Sequence, residues 1–357
     1  MNNKSKADKS VFIGRMQPLH NGHLINIMKC IELSNNVHII IGSGKIPRSV
    51  KNPFTDDERM LMVITAVAEE LNAPIKVNGN VSTFDTENEV VTLTFHPIMD
   101  RLYSDNEWMK DVQNCVEDYK EGKIEKIVQV GHNKGEESVH LKMFPQWDFY
   151  DTDIILKHNN EPFNASDFRM DWFECNDFPN TWKDSIPASV INVIENINKA
   201  NLVEEYNYLK EYPKKWGTVP FITVDTVVTA LGHVLMIKRG ANPGKGNYAL
   251  PGGFLENNES IIDGAFRELK EETKIKVPPT ILRKSVKQYQ VFDHPNRSLR
   301  GRLITFAYHV ELDVSEGLPQ VKGGDDAAEA IWVPLSRLDN MSHKIYEDHF
   351  SIIRYFV

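Results

Sequence analysis

Cysteine is scarce in this chain of 357 residues: Cys30, Cys115 and Cys175 are the whole complement, and no two stand in a C-x-x-C spacing. An odd number of scattered cysteines argues against a disulfide framework or a cysteine-rich zinc site, and suits free thiols in a reducing compartment. Long apolar runs are missing too. None approaches the roughly 18 residues of a membrane span, and the apolar-leaning stretch before Gly14 is too short for the hydrophobic region of a signal peptide. Positive charge is not in excess: residues 1–200 carry 21 Lys and Arg against 30 Asp and Glu, residues 201–357 carry 20 of each, and the net charge is −9. Such a chain repels nucleic acid at long range, so an anionic ligand must be held by a local cationic cluster or a metal ion. The expectation is a soluble, cytoplasmic protein with neither nucleic-acid nor membrane partners. What is present is ordinary for a globular chain, with 41% hydrophobic and 25% charged residues, and the length suits about two domains.

Residues 10–13 and 37–41 are short β-branched runs that lead into glycines, with a helical pattern from His23 to Leu33 between them. This reads as strand, helix, strand with parallel strands. Thr55 followed by Glu58, and Ser104 followed by Glu107, are capping-box signals for two further helices, the second running to about Tyr119. Strands are expected at 90–98 and 126–130, and a helix from Pro187 to about Ala200. Residues 201–217 read as a linker. Beyond them, strand-like runs at 221–230, 233–239, 286–292 and 302–310, a Gly-rich loop at 240–253 and a helix at 259–273 predict an α+β domain with a mixed sheet.

Two constellations carry chemistry. The first is GRMQPLHNGH at 14–23, where the first strand passes into a helix, the place where open α/β sheets bind ligands. Helix N–H groups there favour phosphate. His20 and His23, three apart, share one face of a helical turn, and Arg15 adds a planar cationic fork.

This segment resembles the HxGH nucleotidyltransferases, and more narrowly the archaeal-type nicotinamide mononucleotide (NMN) adenylyltransferases, over about residues 1–200. NPFTDDER at 52–59, GHNKGEESVHLKMFPQW at 131–147 and NASDFR at 164–169 extend the likeness. The resemblance implies a Rossmann-like α/β domain with a parallel sheet. Its chemistry would be attack of the NMN phosphate on ATP with loss of pyrophosphate. By the match, His20, His23 and Arg169 are catalytic, while Gly14, Arg15, Met16, Lys51 and Ser166 bind substrate and Trp108 stacks on nicotinamide. Lys51 departs from the family's usual arginine: charge is kept and the fork is lost. Pantetheine-phosphate adenylylation is an alternative that HxGH alone does not decide; Arg15-x-Gln-Pro, Trp108 and Arg169 favour NMN.

The second constellation runs from Gly253 through Glu259, Arg267-Glu268-Leu269 and Glu271-Glu272 to Ile275, the Nudix box with one exception. Glu268, Glu271 and Glu272 fall at i, i+3 and i+4, so the three carboxylates project from one helix face, a donor set for Mg²⁺ or Mn²⁺ beside a diphosphate. The exception is Lys274 in place of glycine, where the helix is expected to end in a left-handed residue. With 222–228, 237–256, 300–306 and 323–335, the region 218–357 resembles the ADP-ribose pyrophosphatase domain fused to NMN adenylyltransferases in bifunctional proteins. The resemblance implies cleavage of ADP-ribose to AMP and ribose 5-phosphate. Arg267, Glu268, Glu271 and Glu272 would be catalytic, and Arg239, Gly253, Arg300, Arg302, Asp325 and Asp326 are candidate substrate contacts. A non-hydrolysing, ligand-sensing Nudix-like domain is the alternative, but such domains typically lose box carboxylates and all three are present here.

Overall fold

A computed structural model describes residues 7–87, 89–118, 125–133, 141–154, 156–158, 161–217, 220–313 and 317–357. The chain divides into two compact units, Met1–Ala200 and Asn201–Val357. In the first, β1 (Lys9–Gly14), α1 (Asn21–Leu33) and β2 (Asn36–Ile41) form the expected parallel unit, with Val11 opposite His38 and Ile13 opposite Ile40. Then come α2 (Asp56–Leu71), β3 (Ile75–Asn78), β4 (Val81–Asp85), β5 (Val90–Pro97), α3 (Asp105–Val116), β6 (Ile127–Gly131) and β7 (Asp148–Asp151). The small pair β8 (Lys157–His158) and β9 (Glu161–Pro162) precedes α4 (Ala165–Glu174) and α5 (Ala188–Glu195).

The sheet runs β3-β4-β5-β2-β1-β6-β7, and from β5 to β7 neighbouring strands are parallel. Strand order therefore turns outward on both sides of β1, which makes the C-terminal ends of β1 and β6 the switch point of the sheet. The β3–β4 hairpin adds antiparallel strands to one edge. Thr55 starts α2 through a complete capping box with Glu58. Two helix ends differ from expectation. α3 stops at Val116, where Glu117 turns extended, and Tyr119 lies outside the described residues. α5 stops at Glu195 because the following asparagines hold backbone groups: Asn196 bonds the Asn192 carbonyl, and Asn198 accepts from Ala200 N at the start of a new helix.

Among the strand side chains, His38 Nδ1 and His96 Nε2 lie 3.0 Å apart on neighbouring strands. Burial holds both rings down at about 4, with the pair and Lys9 adding to the effect at His38 while Asp118 and Cys115 oppose it. The unfolded chain takes up protons near 6.5 and the folded one only near 4, so stability should fall as pH drops through that window. Melting temperatures measured from pH 7 to 4.5 should show this fall, smaller in His96→Gln. An equal fall in both proteins would assign acid lability elsewhere.

In the second unit, the stretch expected as a linker is a helix, α6 (Ala200–Trp216), on which Leu202, Glu205 and Tyr212 are buried. It is followed by β10 (Phe221–Ala230), β11 (His233–Arg239), β12 (Tyr248–Ala249), β13 (Gly252–Phe254), α7 (Ile261–Thr273), α8 (Pro279–Lys284), β14 (Val286–Phe292) and β15 (Leu303–Glu311). The last elements are β16 (Ala327–Pro334), the single turn α9 (Leu338–Met341) and α10 (His349–Phe356). The sheet order is β12-β11-β10-β15-β14, with β13 paired to β10 and β16 to β11; β10 and β15 run parallel and the other pairs antiparallel. The mixed sheet is thus as expected. α7 is seated by Phe266 and Leu269, which pack with Val228, Leu235, Ile275, Leu282 and Val310. Among the described residues no helix is long and apolar enough to cross a membrane, and the three cysteines are free thiols.

Candidate active sites

At the end of β1 the chain makes a strained turn: Met16, buried, has φ 49°. Gln17 then locks the turn to the segment before α2, its amide donating to Phe54 O and accepting from Phe54 N, each at 2.9 Å. Arg59 makes the second lock. Its guanidinium, 1% exposed, donates to Arg15 O (2.7 Å), Gly42 O (2.7 Å) and Ser43 O (3.1 Å), and pairs with Asp56 at 2.6 Å. One side chain thereby holds the loops after β1 and β2 in register. Within NPFTDDER, Arg59 carries no motif role that the sequence pattern names. The signal was available: Arg59, Met62, Val63, Ala66 and Val67 fall on one buried helical stripe, so an arginine there must spend its charge on interior partners.

Around this frame the expected residues come together. The rings of His20 and His23 stack at 3.7 Å, with His20 4.3 Å from Phe163 and His23 5.8 Å from Phe12. Arg169, on α4, reaches back to Gln17 O (2.8 Å) and to Ser166 Oγ (2.9 Å). Its pKa is pushed down to about 10 by burial and then by the charge of Arg15. Lys51 is lowered by burial and by Arg15 and Arg169. Beyond burial, the charge of Arg15 lowers both Lys51 and Arg169, so these cations gather at one place suited to an anion. Trp108 is partly buried against the core of Val11, Ile40 and Val112, its ring 6.0 Å from Phe144. Within GHNKGEESVHLKMFPQW, residues 134–140 lie outside the described residues.

In the second unit Gly253 lies close under the box: a Cβ there would stand 2.4 Å from Glu268 Oε1, so any other residue would displace that carboxylate. Arg267 organises the loop in front of α7, donating to Glu259 (2.7 and 3.0 Å), Glu268 (2.9 Å), Glu271 (3.0 Å) and Phe254 O (3.1 Å). These bonds hold the three acids around one guanidinium. Glu272 is 6% exposed and accepts from Gly252 N at 2.9 Å. Burial, helped by Glu268 and Asp225, pushes its carboxyl up to about 8. Glu268 is raised for the same chief reason, with Glu271 and Asp325 contributing. The donor chemistry therefore fits a hard divalent cation, since two desolvated carboxyls face each other's charge. As placed they turn toward Arg267 and backbone, and among the described residues no three acidic, His or Cys side chains are gathered for a metal.

The remaining candidates divide. Arg239 bonds Pro243 O (2.8 Å) and lies 4.3 Å from the centre of the Tyr346 ring, and Arg300 sits 3.7 Å from Glu347. Arg302 pairs with Asp293 at 3.8 Å, and exposed Asp326 takes part through its carbonyl, which accepts from Gly240 N at 2.9 Å. Lys274 ends α7 with φ 45°, the left-handed geometry expected of the missing glycine. Lys274→Gly should therefore raise the melting temperature, by the equivalent of about 1 kcal/mol, with the metal requirement unchanged. A lower melting temperature would show that the lysine side chain contributes more than its backbone costs.

Comparison with known proteins follows this division. Residues 11–129 match the cytidylyltransferase-like family and residues 219–356 the NUDIX domain family. The nicotinamide/nicotinic acid mononucleotide adenylyltransferase of Acinetobacter baylyi is 32% identical over 47% of this chain and 77% of its own length. The ADP-ribose pyrophosphatase of Methanocaldococcus jannaschii is 38% identical over 38% of this chain and 72% of its own. A crystal structure of a bifunctional NMN adenylyltransferase/ADP ribose pyrophosphatase from Francisella tularensis superposes with TM-score 0.77 and 32% identity, covering 98% of both chains. The chain belongs to this bifunctional family. A second structure of the Francisella protein, complexed with AMP and a manganese ion, matches with TM-score 0.76 and 31% identity over the same coverage. In this chain's first unit the cationic cluster and histidine stack lie at the sheet's switch point; in its second, the box carboxylates lie on α7.

Proposed function

We propose that residues 1–200 transfer the adenylyl group of ATP to NMN, giving NAD and pyrophosphate, and that residues 218–357 hydrolyse ADP-ribose to AMP and ribose 5-phosphate. One observation carries the reading: a single chain retains both complete sets, Arg15, His20, His23, Lys51 and Arg169 in one unit and Glu268, Glu271 and Glu272 in the other.

The first reaction asks little covalent work of the protein. A phosphate monoester has its second pKa near about 6, so the nucleophile is ionised without a general base. Catalysis then rests on alignment and charge. Arg15, Lys51 and Arg169 bind and orient phosphate oxygens, and an anion relieves the repulsion that lowers Lys51 and Arg169. His20 and His23 donate to the phosphate oxygens as charge moves onto the leaving group. Arg59 and Gln17 keep the turn in place and touch no substrate.

For hydrolysis, Glu268, Glu271 and Glu272 would hold the divalent cation, which when bound screens the diphosphate and lowers the pKa of water. Arg267 keeps Glu259, Glu268 and Glu271 oriented, and must share the last two with the cation. Magnesium and manganese both suit the oxygen donors.

The test is to incubate the purified chain with ATP, Mg²⁺ and NMN, and separately with ADP-ribose and other diphosphate nucleotides, with Mg²⁺, Mn²⁺ or EDTA. Products are resolved by chromatography. NAD in the first mixture and metal-dependent AMP plus ribose 5-phosphate in the second are expected. Bound but uncleaved ADP-ribose would leave the second unit a sensor.

A further inference from the structure

The turn at 250–252, which leads into the box, is held at three successive residues by three different elements. Leu250 N donates to His349 Nδ1 of α10 at 2.9 Å. Pro251 O accepts from Thr226 of β10, from its N at 2.9 Å and from its Oγ1 at 3.3 Å. Gly252 N donates to Glu272 of α7 at 2.9 Å. The turn is also pressed onto the sheet, where a Cβ at Gly252 would stand 2.2 Å from Val224 O. Planar peptide units join Leu250 N to Gly252 N, so a displacement at the first is passed to the carboxylate held by the second.

Thr226 and Glu272 belong to elements that flank the box; His349 comes from the last helix, and its seat is fixed. Asp348, just before it, takes two bonds of 3.0 Å from the buried guanidinium of Arg297, and Tyr346 N donates to Tyr248 O at 2.8 Å. Phe350, Ile352 and Ile353 bury the helix behind it. Because a backbone N–H donates to Nδ1, the ring is neutral and carries its proton on Nε2. Burial keeps it so, pushing its pKa down to about 4 against the pull of Asp348. An apolar side chain of similar size would fill this place without the cost of burying an imidazole. What histidine adds is an acceptor for the amide of Leu250, itself buried, which would otherwise lose this partner.

We infer that His349 is a positioning residue for the second unit's reaction: by holding Leu250 N it fixes the turn whose Gly252 N–H orients Glu272, and so sets how tightly the box carboxylates take a divalent cation. This rests on the hydrolytic reading above and adds to it a residue outside the box. Groups that orient a metal-binding side chain typically account for about 10–100-fold in metal affinity. His349 acts on Glu272 at one remove, so the lower end is expected.

The experiment titrates the full chain with Mn²⁺ alone, following free ion by electron paramagnetic resonance, in wild type, His349→Leu and His349→Asn, with Glu272→Gln marking which site is read. His349→Leu fills most of the ring's volume and has no acceptor; His349→Asn sets an oxygen where Nδ1 stands and leaves part of the space empty. Packing alone would therefore favour His349→Leu, and positioning favours His349→Asn. The dissociation constant for Mn²⁺ should rise about tenfold in His349→Leu and stay within about threefold of wild type in His349→Asn. The Mn²⁺ concentration at half-maximal hydrolysis of ADP-ribose should follow it, with NAD formation within about twofold in both variants. His349→Phe, a ring without an acceptor, takes the place of His349→Leu if that protein does not fold. Unchanged Mn²⁺ affinity in the folded variant without an acceptor, or an equal loss in His349→Asn, overturns the positioning role and leaves His349 structural. Wild type that binds Mn²⁺ at the Glu272 site and cleaves no ADP-ribose would instead overturn the hydrolytic reading.

Discussion

Glu272→Gln is expected to lower ADP-ribose hydrolysis by roughly 10²–10³-fold, the usual range for losing one preorganised electrostatic contact to a transition state. Glutamine keeps the shape of the side chain and can still accept from Gly252 N, the 2.9 Å bond that Glu272 makes now. What it removes is one of the three charges offered to the divalent cation. The fold should not suffer, because the native carboxyl is already disfavoured by burial, as its upward shift to about 8 shows. In metal-free buffer the variant should melt no lower than wild type. NAD formation should stay within about twofold, as expected for independent sites. Rates of both reactions and a melting curve check all three statements, and hydrolysis near the wild-type rate would remove Glu272 from the metal set.

Arg169→Ala should cost NAD synthesis a similar factor, about 10²–10³, while hydrolysis continues. The accompanying stability change distinguishes a functional cation from a structural one. Arg169 gives two bonds, to Gln17 O and Ser166 Oγ, but it is held beside Arg15 and its pKa is depressed to about 10. Removing one of these crowded cations relieves repulsion that Asp167 offsets in part and a bound anion would offset further. The melting temperature of the variant should therefore not fall, whereas added ATP should stabilise it less than it stabilises wild type. A clear drop in melting temperature with unchanged turnover would make Arg169 a brace for the turn at Gln17.

Much of this was legible in the chain. The strands at 221–230 and 233–239 coincide with β10 and β11, and the capping residues Thr55 and Ser104 begin α2 and α3, because alternation and caps act within a few residues. The spacing that sets Glu268, Glu271 and Glu272 on one helix is equally local, as is the left-handed end at Lys274. Local signals also misled. The acidic and aromatic run at 201–217 looks like a linker, and becomes a helix because Leu202, Glu205 and Tyr212 find interior partners far along the chain. Trp108, read as a ring for stacking on a ligand, also packs beside Phe144 against a core that α3 completes, a contact that the sequence pattern does not show.

The sequence by itself determined the two-part organisation, the elements that carry the motifs, and the chemical character of each set of side chains: cations and histidines in one, carboxylates in the other. Only the tertiary structure decided that β1 lies inside its sheet between β2 and β6, so that Arg15 meets Lys51 and Arg169. It also decided that Arg59 clamps two loops, and that Glu205 enters the interior of the second unit. The reason is one of range. Helix periodicity, caps and turn geometry are fixed by neighbours within a turn or two of chain. Charge repulsion, desolvation and hydrogen-bond satisfaction depend on which distant residues are brought within a few ångströms, and strand order and packing settle that.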